Sequence, residues 1–295
     1  MRYFADRLFD SVLSKNSVVV VGLDPQPESF PPELGVSSLD KADCEGFARK
    51  ILEFNAGIIE SVAEFAAAVK PQIAFYEQFG VPGLNAFAQT CRIAADHNLP
   101  IIADVKRGDI GSTAAAYSRA FLGGPFSADA VTLNPYLGTD SLEPFISRCS
   151  EGYGAFILVR TSNKSATEFQ DLQTSSGKLY EVVADRVAIW GRPYIGEHGW
   201  SSVGAVVGAT WPGELSALRR KLPNVPFLVP GYGAQGGTAA DVAAAFDATG
   251  LGAVVNSSRA ILYAWKARGE DWRTAAANAA REMRDEFRFV LGRGK

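Results

Sequence analysis

Acidic and basic residues alternate in a short segment near the middle of the chain. The segment reads Asp104-Val-Lys106-Arg-Gly-Asp109, and it continues an apolar run that is typical of a buried strand. Asp104 and Lys106 are two positions apart, so we expect both side chains on the same face of that strand. Opposite charges in a partly buried site keep each other ionised. A lysine held as an ammonium ion in this way could donate a proton or stabilise a developing carbanion.

Two further charged residues end other apolar runs. Asp24 ends the run that begins at Ser17, and Lys70 precedes Pro71, which favours an extended backbone at the lysine. A single charge at a strand end is more often a solvated loop residue. Four charges of alternating sign at the ends of such runs instead favour a catalytic array.

A glycine-rich segment, Pro230-Gly-Tyr-Gly-Ala-Gln-Gly-Gly237, follows a later apolar run and contains a G-x-G-x-x-G sequence. A dinucleotide site would need an acidic residue about 20 positions further on, but Asn256 and its neighbours occupy that region. Backbone N–H groups offered to a phosphate are the better interpretation. Arg259, at the start of the next predicted helix, would add a cation to that phosphate site. Glycines that only make a tight turn are the alternative.

Eight short apolar runs, each followed by a helical segment, must position these residues. The runs span residues 17–24, 66–73, 100–106, 128–134, 155–160, 203–209, 226–230 and 252–256. Short, nearly continuous apolar runs are typical of parallel strands that are covered on both faces. Their mean spacing of roughly 34 residues suits a (β/α)8 barrel, whose chemistry lies at the carboxyl ends of the strands and whose last two loops bind phosphate.

We therefore predict an α/β protein, a (β/α)8 TIM barrel that forms a single domain over residues 1–295. Residues 161–200 would be an insert after strand 5, either a lid over the site or a surface elaboration. An extra C-terminal helix would follow Asp271. A doubly wound sheet stays open as an alternative, because one sequence does not reveal strand order.

Composition excludes several classes of protein. Hydrophobic residues make up 47% of the chain and charged residues 21%, which excludes disorder for most of it. The 29 basic and 32 acidic side chains give a net charge of −3, so we predict no nucleic-acid partner. No apolar run reaches the ~20 residues that span a bilayer. Residues 1–10 are unlike a signal peptide, and neither His97 nor His198 has metal-ligand spacing. We expect a cytoplasmic protein with no membrane contact and no metal.

Two of these motifs resemble those of the orotidine 5'-phosphate decarboxylase family. The charged segment, continued by Ile110 and Thr113, resembles its D-x-K-x-x-D-I signature, and Pro230–Gly237 resembles its phosphate loop. Gly22-Leu-Asp24, Lys70 and Ser258-Arg259 also fall where that family has matching residues. The sequences Gly22-Leu-Asp-Pro-Gln-Pro27 and Val159-Arg-Thr-Ser-Asn163 look most like its longer bacterial subgroup, type 2.

The resemblance implies decarboxylation of orotidine 5'-monophosphate to UMP, the last step of de novo pyrimidine synthesis, without a cofactor. Lys106 would donate a proton to pyrimidine C6, Asp104 would lie against the departing carboxylate, and Lys70 would bridge the ribose and the charges. Asp109 would reach the site of the partner chain in a homodimer. Substrate binding would fall to Asp24, Thr113, Ser162 (or the adjacent Thr161), Gln235, Gly236, Gly237 and Arg259.

Three other interpretations stay open. A phosphosugar lyase or epimerase on a related barrel could share the Asp-x-Lys strand, although such enzymes commonly use a metal or a histidine. A Schiff-base aldolase acting through Lys70 or Lys106 is disfavoured, because nearby carboxylates oppose a neutral amine. A regulatory barrel that binds a nucleotide without reacting with it would differ from the enzyme in turnover and not in UMP binding.

Overall fold

Ten strands occur in residues 2–233 and 237–293, the part of the chain that the computed structural model describes. They are β1 (Val19–Leu23), β2 (Ala68–Pro71), β3 (Ile102–Arg107), β4 (Ala130–Leu133), β5 (Gly154–Arg160), β6 (Gln173–Thr174), β7 (Gly177–Lys178), β8 (Val203–Val207), β9 (Phe227–Val229) and β10 (Ala253–Ser257). β6 and β7 form a separate antiparallel pair. The other eight overlap the eight predicted apolar runs.

These eight strands close into a parallel barrel. Their order is β2-β1-β10-β9-β8-β5-β4-β3, and the parallel bridges Val69–Ile101 and Gln72–Asp104 join the first strand to the last. The prediction of a (β/α)8 barrel is therefore confirmed over the doubly wound sheet. All of the carboxyl ends meet at one rim, as the placement of the charged residues required.

Burial explains why these runs become strands. Every residue of β1, β2, β4, β8, β9 and β10 is buried, as expected where side chains fill the barrel and helices cover its outside. β3 differs, because its last two residues, Lys106 and Arg107, emerge from the core. The barrel thus carries its exposed charge at the carboxyl rim.

The helices of the described residues pack around the barrel and across one of its ends. They are α1 (Phe4–Ser14), α2 (Cys44–Val62), α3 (Ala74–Glu77), α4 (Gly80–Asp96), α5 (Gly111–Phe121), α6 (Thr139–Ile146), α7 (Thr167–Gln170), α8 (Leu179–Gly191), α9 (Pro212–Lys221), α10 (Ala239–Ala243), α11 (Arg259–Leu262), α12 (Trp265–Arg268) and α13 (Trp272–Val290). Within the described ranges, none of them is long and apolar enough to cross a membrane.

The helix predicted after Asp271 is α13. The Asp271 carboxylate caps its amino end by accepting a hydrogen bond from the Thr274 N–H at 3.0 Å. α13 packs against α2 on one side and α10 on the other. It therefore takes the eighth place in the ring of helices, where the prediction had an additional helix.

The additional helix is instead α1, at the other end of the chain. The residues before Asp10 gave no prediction of a helix. Its buried Phe4 meets Phe156 of β5 edge to face, and Ser11 Oγ donates to the Ala67 carbonyl just before β2 at 2.7 Å. These contacts lie at the amino ends of the strands, so α1 covers the end of the barrel opposite the charged rim.

Candidate active site

Three charged side chains form a continuous array at the carboxyl ends of β2 and β3. Lys70 Nζ donates to Asp104 Oδ2 at 2.7 Å, and Lys106 Nζ donates to Asp104 Oδ1 at 2.6 Å. The Lys70 side chain is 6% exposed, whereas that of Lys106 is 46% exposed. Asp104 is therefore shared between a buried cation and an accessible one.

The ion pairs keep the buried members of the array charged. Burial alone would lower the pKa of Lys70, but the carboxylates of Asp104 and Asp24 raise it above its ordinary value. Burial would likewise raise the pKa of Asp104, but Lys70 and Lys106 hold it well below its ordinary value. At neutral pH the array thus holds an ionised carboxylate between ammonium groups.

β3 leaves regular strand geometry where it supplies these residues. Lys106 has φ = 44°, and the register with β4 shifts between Ala103 and Arg107. A left-handed backbone costs a residue with a side chain roughly 1–2 kcal/mol, and such strain is often found at functional sites. The common face expected from the spacing of Asp104 and Lys106 is therefore achieved through an irregular strand.

Thr132 of β4 adjoins this irregular segment and was not predicted as a site residue. Its hydroxyl accepts hydrogen bonds from the N–H groups of Val105 and Lys106 at 3.0 Å each, and it donates to Asp104 Oδ1 at 2.8 Å. The only signal in the sequence was a hydroxyl residue inside an otherwise apolar strand.

A cavity of about 440 Å³ opens over the array. It is lined by Lys70, Asp104, Lys106, Thr132, Leu158, Thr161, Ser162, Asn163, Gln170, Val206, Leu228 and Pro230. The charges lie on the β2–β4 side, and apolar side chains of β5, β8 and β9 face them. Its volume is in the usual range for small-molecule sites. A larger groove of about 680 Å³ lies apart, between the loop after β1 and the turn at Phe75 and Phe79, and the array does not line it.

One wall of this cavity is formed by Thr161, Ser162, Asn163 and Gln170. The Thr161 hydroxyl accepts from Gln170 Nε2 and donates to Asn163 Oδ1, both at 2.7 Å. Ser162 also lines the cavity, and its hydroxyl makes no hydrogen bond within the described residues. The first half of the predicted insert therefore adjoins the site, whereas its second half contains α8, which packs on β5 and β8 as a crossover helix.

Asp24 and Asn256 carry oxygen atoms that lack partners. Asp24 Oδ1 and Asn256 Oδ1 are buried without a hydrogen bond inside the described part of the chain. Such an atom costs about 1–3 kcal/mol, so a ligand that supplies hydroxyl or N–H donors would remove this cost. Position 22 beside Asn256 requires a glycine, because a Cβ there would collide with Ser258 Oγ.

The ends of β9 and β10 hold the residues predicted to bind phosphate. Arg259 begins α11 and is exposed, and its side chain makes no ion pair or hydrogen bond to other described residues. Gly231 and Gly233 have φ of 97° and 70°, which only glycine adopts readily, and Gly237 is buried. Gln235 and Gly236, which were also predicted here, lie outside the described residues.

Two predicted residues do not join the cavity of their own chain. Asp109 Oδ1 accepts from the N–H of the next residue, Ile110, at 2.8 Å, and contacts neither lysine of the array. Thr113 is exposed in the first turn of α5. Both lie on the outer surface beside the rim.

Comparisons with known proteins agree with the motifs. The model of the orotidine 5'-phosphate decarboxylase / HUMPS family matches residues 17–273. An orotidine 5'-phosphate decarboxylase of Clostridium perfringens (strain 13 / Type A) is 44% identical over 292 residues, 97% of this chain and 99% of that protein.

Solved structures give the same match. The structure of Leishmania donovani OMP decarboxylase has a TM-score of 0.78 at 34% identity and covers 98% of this chain and 99% of its own. Leishmania donovani UMP synthase gives 0.78 at 36% identity and also covers 98% of this chain. The present chain spans 57% of that longer protein.

Proposed function

The chain belongs to the orotidine 5'-phosphate decarboxylase / HUMPS family, and from this premise we propose that it decarboxylates orotidine 5'-monophosphate to UMP. The reaction is the last step of de novo pyrimidine synthesis. The observation that carries the proposal is the Lys70–Asp104–Lys106 array beside a cavity of suitable size. Lys106 is the accessible cation that the reaction needs next to C6 of the pyrimidine.

The chemistry explains why a fixed cation is required. The bond between C6 and the carboxylate breaks, CO2 leaves, and the electron pair stays on C6, where the ring does not delocalise it by ordinary conjugation. The Lys106 ammonium stabilises that charge as it develops and then transfers its proton to C6. A preformed array supplies this stabilisation without reorganising during the reaction.

Asp104 has two roles in this proposal. Its carboxylate accepts a hydrogen bond from the Lys106 ammonium and holds it in place, and it faces the substrate carboxylate, which it repels less as that group becomes neutral CO2. Lys70 compensates the buried charge of Asp104 and reaches toward the ribose. A Schiff base through Lys70 would need a neutral amine, which its raised pKa opposes.

The remaining cavity residues bind the substrate. The free Ser162 hydroxyl contacts the pyrimidine, since that of Thr161 is already committed to Gln170 and Asn163. Asp24 accepts hydrogen bonds from ribose hydroxyls. Arg259 and Gly237, together with Gln235 and Gly236, hold the phosphate at the ends of β9 and β10. No cofactor is part of the proposal.

We propose a cytoplasmic homodimer in which Asp109 and Thr113 complete the partner's site. Asp109 lies near the cavity rim but does not reach its own array. Large apolar side chains are exposed on the same rim, among them Ile110, Tyr136 and Phe169. Exposed apolar patches of this kind are typical of protein interfaces.

The test is to add orotidine 5'-monophosphate to EDTA-treated protein, follow the ultraviolet absorbance, and identify UMP and CO2 as products. We expect stoichiometric conversion. A folded, dimeric protein that leaves the substrate unchanged would overturn the proposal, and ribulose- and hexulose-phosphates with magnesium would be assayed next.

A further inference from the structure

We propose that Thr132 is a positioning residue that holds Lys106 and Asp104 in the geometry for proton transfer. The inference rests on the decarboxylation proposed above. It assigns to β4 a role in an array whose three charges come from β2 and β3.

The Thr132 hydroxyl uses its full hydrogen-bonding capacity inside the protein. A hydroxyl has one proton and two lone pairs. The proton goes to Asp104 Oδ1 at 2.8 Å, and the lone pairs accept from the Val105 and Lys106 N–H groups at 3.0 Å each. The direction is fixed, because an ionised carboxylate only accepts and an N–H group only donates. No capacity is left for substrate, so Thr132 acts through its neighbours.

The two N–H groups explain why a hydroxyl is needed there. Consecutive N–H groups of a regular strand point to opposite sides, but here both reach one oxygen atom, because β3 shifts its register with β4 in this segment. A bulge of this kind leaves backbone groups without ladder partners. The hydroxyl of Thr132, a residue that is 1% exposed, takes the place of the missing ladder partners.

The same oxygen therefore connects the strained backbone of Lys106 to the carboxylate that its own ammonium contacts. Lys106 Nζ and Thr132 Oγ1 both donate to Asp104 Oδ1. Loss of the hydroxyl would free the backbone at φ = 44° to relax and move Nζ away from C6. Misplacement by about 1 Å costs roughly 100-fold in rate.

The experiment compares Thr132→Val, which keeps the shape, with Thr132→Ser, which keeps the hydroxyl. Thr90→Val is the matched control, because Thr90 is also buried and its hydroxyl accepts from Asn55 at 3.1 Å. The readouts are kcat and KM for orotidine 5'-monophosphate and the dissociation constant for UMP. We expect Thr132→Val to lower kcat about 10- to 100-fold with UMP affinity within about 3-fold. Thr132→Ser and Thr90→Val should keep kcat within about 3-fold.

A second readout does not depend on turnover. Crystal structures of the two variants should show Lys106 Nζ displaced from Asp104 Oδ1 in Thr132→Val, and the wild-type contact of 2.6 Å kept in Thr132→Ser. If wild-type protein shows no turnover but Thr132→Val shows this displacement, the decarboxylation is rejected and the positioning role is retained.

Three results would overturn the inference. They are an unchanged kcat in folded Thr132→Val, an equal loss of kcat in Thr132→Ser, and a loss of UMP affinity as large as the loss of kcat. If Thr132→Val does not fold, Thr132→Ala takes its place. If neither folds, a kcat in Thr132→Ser reduced more than about 10-fold overturns it, and a retained kcat supports it.

Discussion

The two sides of the cavity mouth are built in opposite ways. On the β2–β4 side, Lys70, Asp104, Lys106 and Thr132 are joined to one another by hydrogen bonds of 2.6–3.0 Å. On the β9–β10 side, Arg259 is exposed and the Asn256 oxygen is unpaired inside the described part of the chain. On one side the polar groups already bond to one another, and the other side offers groups to a ligand.

This difference follows from what each side must do. Charges that stabilise a transition state are most effective when they are fixed beforehand, and the burial of Asp104 and Lys70 keeps them fixed. Groups that bind a remote part of the substrate supply binding energy when they are engaged by it. Variants on the first side should therefore impair the chemical step, and variants on the second side should impair binding.

Lys106→Ala should have the largest effect. It removes both the proton donor and the cation at C6, contributions of about 10²–10⁴-fold and 10²–10³-fold, so kcat should fall by at least ~10⁴. UMP affinity should stay within a few-fold, as measured by calorimetry. Parallel losses of turnover and UMP affinity in the folded variant would contradict the division between the two sides.

Asp104→Asn should reduce both activity and stability. Lys70 would lose its carboxylate partner in a buried site, and breaking such a pair costs about 3–5 kcal/mol of unfolding free energy. We expect kcat to fall about 100- to 1000-fold, because Lys106 would no longer be held by a carboxylate. Urea unfolding at pH 7 measures the stability, with the exposed Asp96→Asn as the matched control.

The stability difference between wild type and Asp104→Asn should depend on pH in a definite direction. The pKa of Asp104 is lowered in the folded protein, so its contribution is fully present above the unfolded value of about 3.9. That contribution is lost as the pH falls below this value towards the folded one. The two unfolding curves should therefore converge in acid, and a constant difference down to pH 3 would count against the ion pair.

Arg259→Ala should mainly raise KM. A charge-assisted contact to phosphate contributes about 1.5–3 kcal/mol, so KM should rise about 10- to 100-fold while kcat falls less than about 10-fold. The neighbouring exposed Lys266→Ala, next to Trp265 and Tyr263, is a control for loss of a surface cation. Weaker binding of UMP but not of uridine would assign the contact to the phosphate. Equal weakening of both would place Arg259 elsewhere.

Ser162→Ala should have the smallest effect and should distinguish a free hydroxyl from a committed one. Loss of one neutral hydrogen bond costs about 0.5–1.5 kcal/mol, which lowers kcat/KM about 2- to 10-fold without changing the unfolding midpoint. Thr161→Val should instead lower the unfolding midpoint, because its hydroxyl bonds to Gln170 and Asn163. Ser165→Ala, exposed in the same loop, is the control. The reverse pattern would identify Thr161 as the pyrimidine contact.

Much of the barrel could be predicted because each strand appears in the sequence as a short, continuous apolar run. Runs such as Val19–Leu23 are apolar on both faces, and the charges at their ends, Asp24 and Lys70, mark the carboxyl rim. α1 was not predicted, because charged residues interrupt the sequence between the members of its apolar face, Phe4, Leu8 and Phe9. The eighth ring helix, α13, looked additional because two short helices separate it from β10.

The details of the site depend on partners that are distant in sequence. The bulge in β3 needs the hydroxyl of Thr132, 26 residues away from Lys106, and no spacing rule within β3 reveals it. The hydrogen bond from Gln170 to the Thr161 hydroxyl likewise forms only because residues 161–178 fold back and bring the two side chains together. The sequence therefore predicts which charged side chains belong to the site, but it does not predict the hydrogen bonds that hold them.

The most direct test of the two-sided mouth is a single-turnover measurement with saturating enzyme, because saturation removes differences in binding. Wild type, Lys106→Ala and Arg259→Ala are mixed in excess with orotidine 5'-monophosphate at concentrations above each KM, and UMP is quantified over time. We predict that Arg259→Ala approaches the wild-type rate within about 10-fold, while Lys106→Ala remains at least ~10⁴-fold slower. Equally slow rates in both variants would contradict the account, since both sides of the mouth would then act in the chemical step.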